Sequence, residues 1–173
     1  MAARLMRTDT AAKDGLNELI KMLPNNLVGL EIGSYAGESS EIFVKSNKFK
    51  CLYCVDFWKQ DFYPNGRETG EKEFDLMAKK YAQIHKVKMD NKNIVEVFYQ
   101  LKPDFIYIDA DHTCESVKQN IQDALTLLNG KGIIAGHDYI DTPQNPFGGV
   151  IKAVNEFFKP DYIFADTSWI KLL

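Results

Sequence analysis

Cysteine is scarce in this chain and comes in an odd number, with Cys51, Cys54 and Cys114 the three residues present. That count argues against a disulfide framework, and residues three apart in one apolar run, as Cys51 and Cys54 are, point to opposite faces of a strand rather than to a shared metal or redox site. No apolar stretch approaches the length of about 20 residues that a membrane span needs. The N-terminal Met1-Ala-Ala-Arg-Leu-Met-Arg7 has no signal-peptide core, so a cytoplasmic protein without a membrane partner is expected. A surplus of positive charge is missing too. The net charge is −3 and the lysines are interspersed with acids, which leaves no basic stripe to follow a nucleic-acid backbone. Repeats, low-complexity tracts and linkers are also lacking, and 173 residues predict one domain over 1–173 rather than two.

What is present is an alternation. Leu16, Leu19, Ile20 and Leu23 recur at helical spacing until Pro24 stops them. The same period returns at Ile42-Phe43, at Phe74, Met77, Ala78 and Tyr81, and from Ile94 to Leu101. It appears again at Val117, Ile121, Ala124 and Leu128, and from Val150 to Phe158. Between these stripes lie apolar runs at 27–32, 51–57, 87–89, 104–109 and 132–136, of the kind that strands buried on both faces require. The alternation predicts an α/β fold: a single doubly wound, Rossmann-like, mostly parallel sheet with helices on both faces. Two closing strands, 162–164 and 168–172, have only a short turn between them, so one antiparallel strand near the C-terminus is expected. Residues 58–72, with Trp58, Phe62 and Tyr63, read as a surface loop near the ligand, and 140–149 as a second loop.

The chain is organised around Leu27-Val-Gly-Leu-Glu-Ile-Gly-Ser-Tyr-Ala-Gly-Glu-Ser-Ser40, which reads as strand, tight turn and helix start. Gly33 lets the chain turn, and Gly37 lets backbone N–H groups at a helix N-terminus approach a ligand. A dinucleotide fingerprint would need a glycine where Tyr35 stands, so a phosphate-free adenosyl ligand suits the corner better. Asp56 ends the next strand, where it can accept hydrogen bonds from ribose hydroxyls or cap a helix. Asp90 and Asn91 end the third and are placed to meet an adenine edge. Asp109, Asp111, His112, His137 and Asp138 also fall at strand ends, the side of such sheets where ligands bind. Carboxylates with an imidazole suit Mg²⁺ or Ca²⁺, and two histidines also admit Mn²⁺ or Zn²⁺.

The segment Leu30-Glu31-Ile32-Gly33-Ser34-Tyr35-Ala36-Gly37-Glu38-Ser39 resembles the first motif of class I S-adenosylmethionine (SAM) methyltransferases, most closely the catechol O-methyltransferase type. With Ile108-Asp-Ala-Asp-His-Thr113 and Gly136-His-Asp-Tyr139 the resemblance extends over residues 27–158. It implies that Glu31, Gly33 and Gly37 hold the methionine end of SAM, with Ser34, Tyr35, Ser39, Asp56, Phe57, Asp90 and Asp109 completing the cofactor site. It further implies a divalent metal (Mg, Mn or Ca) on Asp109, His137 and Asp138, with His137 departing from the family's usual acid. His112 falls at the position of the general base, with a structural hydrogen bond to Asp109 or Asp111 as its alternative. For Asp111 the alternative is a helix cap.

The activity implied is O-methylation of a hydroxyl on a small molecule or sugar, without nucleic acid. A Rossmann-type NAD-dependent oxidoreductase would need a third glycine near 38–40 and a Tyr-x-x-x-Lys pair, and neither is present. Asn145-Pro146-Phe147 lacks the second proline of amino-directed enzymes. A non-catalytic SAM-binding domain is the other alternative. The short chain leaves little lid, so a second subunit of a homo-oligomer has room to complete the acceptor pocket.

Overall fold

Strands whose residues are buried on both faces must lie inside a sheet, and β4 (Phe105–Ile108) and β5 (Ile133–Gly136) are of this kind. Among the described residues the sheet has seven strands, the others being β1 (Leu27–Ile32), β2 (Phe49–Asp56), β3 (Ile84–Lys88), β6 (Tyr162–Ile163) and β7 (Trp169–Leu172). Their spatial order is β3-β2-β1-β4-β5-β7-β6. The computed structural model describes residues 10–58, 67–141 and 148–173. β1 to β5 are mutually parallel, and β7 runs antiparallel between β5 and β6. The antiparallel strand expected near the C-terminus therefore sits one place in from the sheet edge.

Alternation along the strands divides the core in two. Phe105 and Tyr107 join Leu52, Cys54, Ala135 and Ile170 beneath α1 (Thr10–Met22), α2 (Glu38–Lys45) and α3 (Arg67–Ala78). Ile106 and Ile108 join Leu30, Ile32, Val55 and Trp169 beneath α4 (Ile94–Phe98), α5 (Cys114–Leu128) and α6 (Gly148–Phe157). Phe43 of α2 meets Phe49, Phe105 and Tyr107 with ring centroids 5.0–5.4 Å apart, tilted or edge-on. Full burial of each such ring contributes roughly 1.5–3 kcal/mol. α5 starts where its stripe predicts, with Thr113 Oγ1 accepting from Ser116 N at 3.3 Å, and stops at Asn129 in the left-handed region (φ 49°).

Some readings of the sequence change. α3 begins at Arg67, inside the stretch read as loop, because its first turn is polar all round and carries no stripe. Trp58 is only 4% exposed and belongs to the core beside Phe74 rather than to the surface. α6 begins at Gly148, ahead of its first apolar residue. Phe62 and Tyr63, and Asn145-Pro146-Phe147, lie outside the described residues. Among the described residues no helix is long and apolar enough to cross a membrane.

Candidate functional site

The parallel strands end together on one side of the sheet, and the corner after β1 sets the shape of that side. A Cβ on Gly33 (φ 96°) would lie 2.0 Å from the carbonyl oxygen of Asp109, so only glycine lets β1 leave the sheet this close to β4. Gly33 N donates to Val55 O at 2.8 Å, and Tyr35 then takes a left-handed conformation (φ 41°). Gly37 takes a left-handed conformation (φ 80°) at the start of α2, and its bare side faces α3, where a Cβ would fall 2.3 Å from Met77 Cε and 2.9 Å from Phe74 Cδ2.

Behind the corner lies Glu31, fully buried, its carboxylate accepting hydrogen bonds from Ser34 Oγ (2.7 Å), Ser39 Oγ (2.5 Å) and Ser40 Oγ. Burial raises its pKa, and the three serines offset only part of that. Buried in this way, Glu31 ties strand to helix. Glu31→Ala is expected to cost roughly 2–4 kcal/mol by leaving buried hydroxyls without their shared acceptor, whereas Glu31→Gln should stay within about 1 kcal/mol of the native protein. Urea unfolding of the two variants checks this, and equal losses would show that the charge itself is required. Because the folded pKa is raised, Glu31 favours the folded state most at acid pH and progressively less as pH climbs through its titration.

A cleft of about 340 Å³ opens in front of the corner. Of the expected cofactor residues, Gly33, Tyr35, Asp56, Phe57, Asp90 and Asp109 line it, together with Met89, Asp111 and Ser116. Glu31, Ser34, Gly37 and Ser39 are not among its lining residues. Asp56 Oδ2 accepts from Tyr35 N at 2.9 Å and Oδ1 from Trp58 N at 2.8 Å. The carboxylate thus caps local backbone, and each oxygen retains acceptor capacity toward the cleft. Asp90 caps the 3₁₀ turn Asn91–Asn93 through Lys92 N (3.1 Å). Asp111 accepts from Thr113 N (2.9 Å) and Ser116 Oγ (3.0 Å), bracing the start of α5, whose cap is Thr113 itself.

Beside the cleft, and sharing Asp109 with it, is a second polar group. Asp109, His137 and Asp138 each offer one donor atom, all within 4.8 Å of one another. Adjacent strands bring them together: His137 N donates to Ile108 O at 3.2 Å, and a Cβ on Gly136 would press within 2.7 Å of Ile108 O. Asp138 takes a left-handed backbone (φ 60°), which aspartate tolerates better than most residues. Its Oδ1 lies 3.0 Å from His137 Nδ1 and its Oδ2 2.9 Å from His112 Nε2, while Asp109 Oδ1 stands 3.6 Å from the same nitrogen. His112 therefore bridges the two acids across the cluster. Burial would lower its imidazole, yet the hydrogen bonds and charges of Asp109 and Asp138 raise it to about 9. Burial would likewise raise the Asp138 carboxyl, and His112 and His137 instead hold it below the usual carboxylate range. The start of α6 presses on this region, since a Cβ on Gly149 would lie 2.3 Å from His112 O.

Sequence reasoning missed Ser40, and it put Trp58 in a surface loop near the ligand without its burial. Ser40 sits in the first turn of a helix, where serine usually signals a cap, and only its distance from Glu31 reveals it. Trp58 carries no periodic signal, because the residues that follow it are polar.

This strand order, with its one antiparallel insertion and an adenosine-sized cleft at the carboxyl ends of β1, β2 and β4, defines the Rossmann-like fold of SAM-dependent methyltransferases. The sequence pattern of a methyltransferase-domain family matches residues 30–139, and the chain belongs to that family. It is a class I SAM-dependent methyltransferase, with SAM as its cofactor. Among curated proteins no sequence match was found. Solved structures share the fold. Cofactor-bound Rv0187 from MTB is 12% identical with a TM-score of 0.69, covering 98% of this chain and 82% of its own. Precorrin-6y C5,15-methyltransferase from Geobacter metallireducens GS-15 is 14% identical with a TM-score of 0.63, over 90% of this chain and 75% of its own. A fibrillarin/Nop5p complex gives 15% identity and a TM-score of 0.60, over 88% and 76%.

Proposed function

We propose that this methyltransferase carries out divalent-metal-assisted O-methylation of a small hydroxylated molecule or sugar. The observation that carries the proposal is the convergence of Asp109, His137 and Asp138 at the edge of the cleft, with His112 against two of them. Two carboxylates and one imidazole form a donor set that fits a divalent ion, and the imidazole favours Mn²⁺ over Mg²⁺ and Ca²⁺. A cation held there would act as a Lewis acid that lowers the pKa of the acceptor hydroxyl. SAM supplies an activated methyl group. Gly33, Tyr35, Asp56, Phe57 and Asp90 shape and orient the cofactor in the cleft, and Asp109 stands where cofactor and acceptor meet.

His112 is the group placed to take the acceptor's proton at Nε2 once Asp109 and Asp138 are engaged elsewhere. The chain needs no nucleophile of its own, because it aligns two reactants and moves one proton. In this reading residues 1–173 work as one domain in the cytoplasm, and a second copy supplies further walls for the acceptor pocket.

Calorimetric titration of the purified protein with Mn²⁺, Mg²⁺ and Ca²⁺ tests the metal. Binding is expected to be tightest for Mn²⁺ and to be lost in Asp138→Asn. Conversion of SAM to S-adenosylhomocysteine, followed with catechols and sugars, tests the acceptor class. Undiminished turnover in excess chelator would defeat metal assistance.

A further inference from the structure

The residue that the sequence places on the surface is the one that fastens the cofactor cleft. Trp58 lies two residues past the end of β2, in a left-handed conformation (φ 41°) that residues with a Cβ adopt at a cost. Tyr35, on the corner after β1, has the same φ of 41°. Two such residues side by side need something to hold them, and three hydrogen bonds do so. Asp56 Oδ2 accepts from Tyr35 N (2.9 Å), Asp56 Oδ1 accepts from Trp58 N (2.8 Å), and Trp58 Nε1 donates to Tyr35 O (2.8 Å). The loop of contacts closes on itself, from Tyr35 to Asp56 to Trp58 and back to Tyr35.

The indole is anchored in turn from below. It is 4% exposed, packs against Phe74 with centroids 4.9 Å apart, and carries Lys86 Nζ 4.7 Å above its ring. Lys86 is itself held by Glu71 (2.8 Å) and Asp75 (2.6 Å) of α3. The same helix backs the Tyr35 ring, since a Cβ on Gly70 would fall 2.5 Å from Tyr35 Cε2. Tyr35 and Asp56 line the cleft, whereas Trp58 does not.

We propose that Trp58 is a positioning residue for SAM. Through its Nε1–H and backbone N–H it fixes the orientation of Tyr35 and of the Asp56 carboxylate, so that both are set before the cofactor arrives. The inference rests on SAM occupying this cleft.

Trp58→Phe tests it, because the ring and most of its packing are kept while the donor to Tyr35 O is lost. SAM and S-adenosylhomocysteine, titrated calorimetrically well below the melting temperature, should bind about five- to tenfold more weakly to the variant, the scale of one lost hydrogen bond. A purely architectural Trp58 would lower Tm and leave both dissociation constants unchanged, and that result overturns the proposal. A second measurement uses the native protein. The chain has two tryptophans, and Trp169 lies fully buried in the core cluster on the other face of the sheet. In ¹⁵N-labelled protein, with the two indole N–H resonances assigned through Trp169→Phe, saturation with S-adenosylhomocysteine should shift the Trp58 signal and leave that of Trp169 in place. An unmoved Trp58 signal in protein shown by calorimetry to be saturated contradicts the proposal. If the native protein binds neither ligand, the placement of SAM in the cleft falls first and takes this inference with it.

Discussion

Gly33→Val should abolish SAM binding, with no calorimetric signal at concentrations that saturate the native protein. The cause lies in the backbone more than in the cleft. The first atom of any side chain at Gly33 would meet Asp109 O at 2.0 Å and Ala110 Cα at 2.7 Å, neither of which can swing aside as a flexible side chain would. A left-handed residue with a Cβ adds roughly 1–3 kcal/mol of its own. The carboxyl ends of β1 and β4 must then part, and Tyr35 and Asp109 leave the positions from which they line the cleft. Gly33→Ala should already show most of the effect, since the clash belongs to Cβ. Circular dichroism and thermal melting separate lost binding from lost folding. Unchanged SAM affinity in a folded Gly33→Val would remove this corner from the cofactor site.

The second large effect is expected in the cluster at the ends of β4 and β5. Asp109→Asn and Asp138→Asn should each eliminate methyl transfer while the fold persists, because each removes one of two carboxylates from a three-donor group. His112→Ala should retain metal and SAM but lower kcat by roughly 10²–10⁴, the usual worth of a positioned proton acceptor. Part of that rate should return at alkaline pH, where solvent ionises the acceptor unaided. Full activity of His112→Ala at neutral pH, measured in the presence of chelator, would leave only alignment of the two reactants as the source of rate.

Much of this arrangement is legible because single residue types encode it. A glycine that must turn next to a second strand, an acid ending a buried strand, and a histidine and aspartate ending another are visible as chemistry at predictable places. Asp109 lies far in sequence from His137-Asp138, yet neighbouring parallel strands put their ends side by side, so strand order alone predicts their meeting. What the sequence hides is the direction of side chains. Glu31 has the right type and place, but three serines and complete burial turn it inward, and no pattern in the chain states that. Gly37 likewise faces α3, a contact that no pattern in the chain states. β3 reads as shorter than it is, because an edge strand spelled Ile-His-Lys-Val-Lys spends charges on its exposed side and shows little apolar run. The burial of Trp58 escapes notice for the opposite reason, because it is a lone ring with polar sequence after it.

The placement of β7 bears on how the chain is made. β7 follows β6 in sequence but lies between β5 and β6 in space, and Trp169 packs across Gly136, where a Cβ would come within 2.7 Å of the indole. While the polypeptide is still emerging from the ribosome, β5 therefore has a neighbour on only one side, and its other edge and the socket for Trp169 stay open until residues 169–172 have been released. Closure of the sheet thus waits for β7. Until then β5, Ile133-Ile-Ala-Gly136, is an apolar segment with an unpaired edge, the kind of surface that chaperones engage and that pairs wrongly when they do not.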